Sequence, residues 1–189
     1  MYSKLLLLFV ALFAFGASSK IYAQSEFLHG LGFGLYYKDQ IYKIGTEELR
    51  YPLAGYAVIY NPRLIFANLS DNVSLAASAY PAIGFSGNSR SGSSNILDVP
   101  VTAELSFGAG ASSESEGVFG AYVNAGYGYN LMAGTDVGGG GNHGPIVGGG
   151  IRLGLGEKVL GLRGSYMLST SSSFSGMFSI GAIYYFGFD

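Results

Sequence analysis

The stretch NILDVPVTAELSFGAG, Asn95 to Gly110, sorts its side chains by parity. Leu97, Val99, Val101, Ala103, Leu105, Phe107 and Ala109 fall on one parity, and Asp98, Pro100, Thr102, Glu104, Ser106 and Gly108 on the other. Successive side chains of an extended chain point to opposite faces, so the pattern reads as a β-strand with one apolar and one polar face. Val118–Leu131 repeats it, with Phe119, Ala121, Val123, Ala125, Tyr127, Tyr129 and Leu131 set against Gly120, Tyr122, Asn124, Gly126, Gly128 and Asn130. So does the C-terminal run, where Phe178, Ile180, Ala182, Tyr184, Phe186 and Phe188 alternate with Ser179, Gly181, Ile183, Tyr185 and Gly187. No stretch after residue 24 keeps its apolar residues at helical spacing.

Extended over the whole chain, this reading gives eight strands, at about 26–38, 51–66, 73–86, 96–110, 117–131, 145–156, 159–168 and 176–188. The breaks fall at turn-forming clusters such as Asn68-Leu69-Ser70-Asp71-Asn72 and Gly156-Glu157-Lys158. Connections 39–50, 87–95, 132–144 and 169–175 are long; 67–72, 111–116 and 157–158 are short. In an antiparallel meander every second connection lies at the same end, so the four longer loops share one end. An even number of meandering strands with short turns at one end and longer loops at the other is the pattern of outer-membrane barrels. Most of the strands clear the ~9–11 residues that a tilted membrane strand needs. The expected fold is therefore all-β, an eight-stranded antiparallel up-and-down transmembrane β-barrel over residues 24–189. Ahead of it, Lys4, an apolar run from Leu5 to Gly16 and the ending Ile21-Tyr22-Ala23-Gln24 follow the order of a secretory signal, so residues 1–23 are expected to be a cleavable signal peptide.

The composition narrows the function classes. The 189 residues include 31 Gly, 15 Tyr and 13 Phe, no Cys and no Trp, and only 12% are charged. That charge content is about half of the usual quarter, so most of the surface is not expected to meet water. Without cysteine there is no disulfide framework, thiolate metal site or cysteine nucleophile. Residues 24–189 carry eight Lys and Arg against twelve Asp and Glu, a net charge of −4, and no basic stripe marks a nucleic-acid partner.

Aromatic and charged residues then fall into place on the two faces. With the first strand running outward, the apolar parity carries Phe27, Phe66, Phe107, Phe119, Phe186 and Phe188 at the periplasmic ends. It carries Tyr37, Tyr56, Phe85, Tyr127, Tyr129, Tyr166 and Phe178 at the outer ends, with mostly aliphatic residues between and Tyr60 as an exception. Two aromatic girdles about an aliphatic band are what two lipid interfaces select. Arg63, Asp98, Glu104, Arg152 and Arg163 all sit on the opposite parity, with Lys38 toward the outer mouth. A soluble sandwich or lipocalin-type barrel has the reverse arrangement, with charge on its outward face.

On these residues, on the Ala23-Gln24 signal end, on Tyr60-Asn61-Pro62-Arg63 before a short turn and on the terminal run Ile183-Tyr184-Tyr185-Phe186-Gly187-Phe188-Asp189, the chain resembles the small eight-stranded outer-membrane barrels of the OmpA/OmpX-like class. It is particularly similar to the outer-membrane β-barrel domain proteins common in Bacteroidetes. The resemblance spans about residues 26–189. It implies a bacterial outer-membrane location, lipid as the surrounding partner, and a terminal aromatic strand read by the barrel assembly machinery.

An eight-stranded barrel is just wide enough inside to be filled by its own side chains. Buried charges there must pair, so Glu104 is expected to accept from one or more of the arginines across the lumen and plug it. The leading functional reading is a structural or surface-interaction barrel with four longer loops outside, no catalytic residues, no metal and no cofactor. A narrow pore or transport accessory, biased toward anions by three arginines, is the alternative. A lipid-modifying enzyme is the third reading, for which only His29 and His143 can supply a base. His29 lies near the periplasmic end, and His143 is expected in the glycine-rich loop Gly138–Gly144, with Asp136 and Ser169–Ser173 as nominal triad partners. That glycine run ends in Gly144-Pro145 rather than Gly-Lys-Ser/Thr, so it is not a phosphate loop. The barrel is expected to be a monomer, since closure removes the edges that drive pairing; its surface ligand is not specified by the sequence.

Overall fold

The computed structural model describes residues 25–44, 46–88, 92–115, 117–134, 140–156 and 158–186. The signal segment 1–23, Asp136 and Phe188 lie outside the described residues. Strands β1 (Glu26–Ile44), β2 (Glu47–Ser70), β3 (Val73–Ala79), β4 (Ala82–Asn88), β5 (Gly92–Gly108), β6 (Phe119–Gly134), β7 (Gly140–Leu155), β8 (Lys158–Met167) and β9 (Met177–Phe186) form one antiparallel sheet. β1 pairs with both β2 and β9, which closes the sheet into a ring. β3 and β4 both pair with β2 and with β5, so they are two halves of one stave and the barrel has eight.

The expected continuous strand 73–86 is thus interrupted at Tyr80-Pro81, because proline brings no N–H to the ladder. The neighbouring staves bridge the gap: Tyr80 N donates to Pro100 O at 3.0 Å and Tyr60 N donates to Pro81 O at 2.9 Å.

Three of the expected long loops are largely strand. The β1–β2 ladder continues to Ile44↔Glu47, the β4–β5 ladder to Asn88↔Gly92 and the β6–β7 ladder to Met132↔Gly140. Strand pairing does not stop where apolar alternation stops, because polar side chains decorate a ladder in water as readily as apolar ones do in a wall. Of the four expected long loops, the one between β8 and β9, 168–176, lies outside the strands throughout. One consequence is that His143 is not in a loop but on β7, opposite Tyr129.

The expected strand 96–110 also ends early, at Gly108. Gly108 and Gly110 adopt φ of 69° and 70°, a left-handed turn open to glycine, and they steer the chain inward. Ala109, expected on the apolar outer face, is consequently buried together with Ala111 and Ser112.

Parity sorts the rest. The outward residues of every stave, such as Leu31, Phe33, Val58, Val101, Val123 and Leu162, are exposed, while their neighbours in sequence are buried in the lumen. The lumen is packed by setting large side chains over glycine. A Cβ on Gly150 meets the Tyr122 ring at 2.8 Å, and one on Gly161 meets the Tyr185 ring at 2.8 Å. On the outward face of β1, Phe27 and Tyr37 are ten residues apart. At about 3.4 Å per residue and a tilt near 40°, that is roughly 26 Å of wall height.

Gly161→Ala is expected to displace Tyr185 and lower stability by about 1–3 kcal/mol. Gly164→Ala, which points into open space, is expected to stay within about 0.5 kcal/mol of the parent. Urea unfolding of both variants in phospholipid vesicles measures the difference.

Candidate functional site

The lumen holds the charged residues in two groups. In the half nearer the short turns, β5 supplies Glu104, β2 Arg63 and β7 Arg152, all essentially inaccessible to solvent. Glu104 Oε1 accepts from Arg63 Nε at 2.8 Å, from Arg152 Nη2 at 2.7 Å and from Ser106 Oγ at 2.7 Å. Its Oε2 accepts from Tyr80 Oη at 3.0 Å and from Ser78 Oγ at 3.2 Å. A carboxylate with five donors is fully satisfied, as burial requires. The Arg152 guanidinium also lies over Tyr122 at 4.2 Å and Tyr185 at 5.1 Å.

One carboxylate does not balance two guanidiniums, and the remaining donors turn to main chain. Arg63 Nη1 donates to Gly110 O at 2.8 Å and Nη2 to Ala111 O at 3.1 Å; Arg152 Nη1 donates to Ser106 Oγ at 2.9 Å and Gly110 O at 3.4 Å. These carbonyls belong to the inward-folded turn after β5. The same turn is tied to the rim, where Glu26 Oε2 accepts from Ser113 N at 2.7 Å. The segment Ala109–Ser112 therefore closes one mouth of the barrel, held from inside by two arginines. The sequence reading missed this plug; its only signal is two glycines and two alanines alternating before a serine cluster.

The other group lies toward the hairpin end. Lys38 Nζ donates to Asn130 Oδ1 at 3.0 Å and sits 4.3 Å from the Phe174 ring centre, and Asn130 Nδ2 donates to Asp98 Oδ1 at 3.3 Å. Arg163 Nη2 donates to Ser165 Oγ at 2.9 Å, and its guanidinium lies 4.3 Å from the Tyr80 ring centre. Tyr80, which serves both groups, and Tyr36, Tyr122 and Tyr185 were not singled out from sequence. Tyrosine on a glycine-rich parity was the available signal. Arg163 and Lys38 have no carboxylate within ion-pair distance among the described residues; only Arg63 and Arg152 reach Glu104.

On the outer wall, Phe27, Phe66, Phe107, Phe119 and Phe186 are exposed toward the short-turn end, and Tyr37, Tyr56, Phe85, Tyr127, Tyr129, Tyr166 and Phe178 toward the hairpin end. Both histidines share this wall, each bound to a tyrosine. His29 Nδ1 and Tyr60 Oη are 2.6 Å apart, with His29 stacked 5.6 Å from Phe186. This pairing accounts for the exceptional position of Tyr60. His143 Nδ1 lies 2.6 Å from Tyr127 Oη and 3.2 Å from Thr170 Oγ1. Ser169 Oγ lies 2.8 Å from Asn142 Oδ1 and 2.9 Å from Ser171 O, either of which accepts its single proton.

Glu104→Gln leaves two buried guanidiniums without a counter-charge and is expected to cost about 3–5 kcal/mol in urea unfolding. Replacing Arg63, Glu104 and Arg152 together by Met is expected to recover most of that loss, because the buried charges leave as a set.

No protein-family model matches the chain, and no curated protein matches it in sequence. Solved structures do match in fold. Neisserial surface protein A (NspA) superposes with a TM-score of 0.51 at 10% identity, over 86% of this chain and 98% of that one. Ail, the attachment invasion locus protein of Yersinia pestis, gives 0.48 at 15% identity, over 85% and 99%. The N-terminal β-barrel domain of Pseudomonas aeruginosa OprF gives 0.44 at 18% identity, over 86% and 100%. The closed ring of eight antiparallel staves, with its likeness to NspA along nearly the whole of that protein, is the fold of the small outer-membrane β-barrels.

Proposed function

We propose that the protein is an integral, monomeric barrel of the bacterial outer membrane with a structural or surface-interaction role. It is non-catalytic and closed to bulk flow, and it presents extended hairpins outside. The observation that carries this reading is the combination of an uncharged, aromatic-ringed outer wall with a lumen filled from within. The wall suits hydrocarbon, where charge is expensive. The Arg63–Glu104–Arg152 cluster and the docked turn Ala109–Ser112 occupy the space through which a solute would pass. The hairpin end, with its exposed β1–β2 extension, is the surface on which an external partner would act. Lipid surrounds the wall, and the barrel assembly machinery inserts it.

A narrow anion-biased pathway is the second reading, favoured by one observation. The described lumen holds Lys38, Arg63, Arg152 and Arg163 against Asp98 and Glu104, a surplus of positive charge.

Three measurements test the proposal. In isolated outer membranes the protein is expected to resist carbonate extraction and to migrate differently on SDS gels before and after boiling. In liposomes it is expected to pass no current, whereas the Arg63→Ala, Arg152→Ala double variant, which undocks the turn, is expected to conduct. Anion-selective current through the parent replaces the closed barrel with the second reading; release by carbonate without a heat shift removes the membrane assignment altogether.

A further inference from the structure

The hairpin-side half of the lumen does not balance its own charge. Lys38 and Arg163 are buried there with Asp98, a surplus of one positive charge. Asp98 lies within electrostatic reach of both cations, yet neither meets it in an ion pair, and its Oδ1 accepts from Asn130 instead. Lys38 is held by Asn130 and the Phe174 ring. Arg163 is the less well provided of the two. Its Nη2 donates to Ser165 Oγ at 2.9 Å and its guanidinium rests 4.3 Å from the Tyr80 ring centre, but Nη1 is buried with no partner.

The register explains why. In its own row Arg163 is flanked by Gly150 and Gly181, with Gly34 beyond, so no neighbouring side chain at that level offers an acceptor. In the next inward row Ser165 pairs with Ser179, and Ser179 with Tyr36. Tyr36 Oη lies beside the guanidinium and is likewise buried with no partner. Even as an acceptor for Arg163, that hydroxyl keeps a proton to give. The Ser165 and Ser179 hydroxyls are 2.8 Å apart and share one proton, which leaves their second proton unused among the described residues. Three protons therefore face one corner without an acceptor. The remaining carboxylate oxygen, Asp98 Oδ2, bonds to none of them.

We propose that this corner binds one small monovalent anion of the chloride class, held by Arg163 Nη1, Tyr36 Oη and the unused proton of the Ser165–Ser179 pair. The ion supplies both things the corner lacks, an acceptor for buried donors and a counter-charge for a buried guanidinium. Water satisfies the donors but offsets no charge. A doubly charged oxyanion brings two charges where one is in surplus. The ion is resident rather than in transit, since Arg163, Tyr36, Ser165 and Ser179 are all buried.

The test is thermal unfolding of the detergent-purified protein in sodium chloride and in sodium gluconate at equal ionic strength. A ligand bound by the folded state alone raises its melting temperature, so the parent is expected to melt about 5 °C higher in saturating chloride. Arg163→Leu is expected to melt at one temperature in both salts. Tyr36→Phe keeps the ring and removes one donor, and is expected to need about tenfold more chloride for half of the shift. Val123→Leu, an outward change on the wall, is expected to follow the parent. Bromide, which stands in for chloride and scatters anomalously, is expected beside Arg163 in crystals of the parent and absent from those of Arg163→Leu. Equal melting of the parent in the two salts overturns the proposal, and so does a chloride shift that Tyr36→Phe retains at the parent's concentration. Conduction through the lumen is read separately in liposomes, so failure of the closed-barrel reading is not mistaken for failure of the anion site.

Discussion

Every backbone N–H and C=O in the wall of this molecule has to find its partner on a neighbouring stave. Neither hydrocarbon outside nor packed side chains inside supply one, and an unmet polar group there costs several kcal/mol. Closure of β9 onto β1 is the answer to that constraint, and most other features follow from it. Where Pro81 breaks a ladder, the break is flanked by bonds to Pro100 O and from Tyr60 N. Where the ladders rise past the aromatic rings at the hairpin end, they simply continue until the chain has to turn.

Closure also sets the electrostatics. With eight staves, every second side chain points into a space with little room for water, so any charge placed there needs a protein partner. Glu104 provides one for Arg63 and Arg152, and the carbonyls of Gly110 and Ala111 with the hydroxyls of Ser74 and Ser106 take further guanidinium donors. The turn after β5 is thereby part of the lumen's charge balance rather than a passive connection. Lys38 and Arg163 are solvated differently, by Asn130 and Ser165 and by the rings of Phe174 and Tyr80.

Much of this was legible in the sequence because strand parity is a strict code. Asn95–Gly108 and the terminal run around Ile180 and Tyr184 display their faces residue by residue, and the inward position of Arg63, Glu104 and Arg152 follows from that display alone. What parity cannot encode is where a strand stops. Ala109 continues the alternation, yet the positive φ of Gly108 turns it inward. Conversely, the segment after Asp39 loses its alternation while its pairing persists. The plug was hidden for a related reason. Its acceptors are main-chain carbonyls, which every residue carries, so no side chain announces them. The partners of His29 and His143 were hidden because diagonal neighbours such as Tyr60 depend on register, which alternation leaves free.

The ladders are very unequal, and that inequality bears on how the ring is made. β1 and β2 share nineteen residue pairs across a tight hairpin, whereas β1 and β9 share nine. The latter join positions more than 140 residues apart, from Tyr37↔Phe178 to His29↔Phe186. The entropy of bringing chain ends together grows with the length between them, and long-range pairing is correspondingly slow. The N-terminal hairpin can therefore exist early as a template, while the seam is the most expensive contact in the molecule and among its shortest. By that entropy the same seam is the last joint of the wall: the place where a curved sheet of staves, already joined across its interior by Glu104, meets its own beginning.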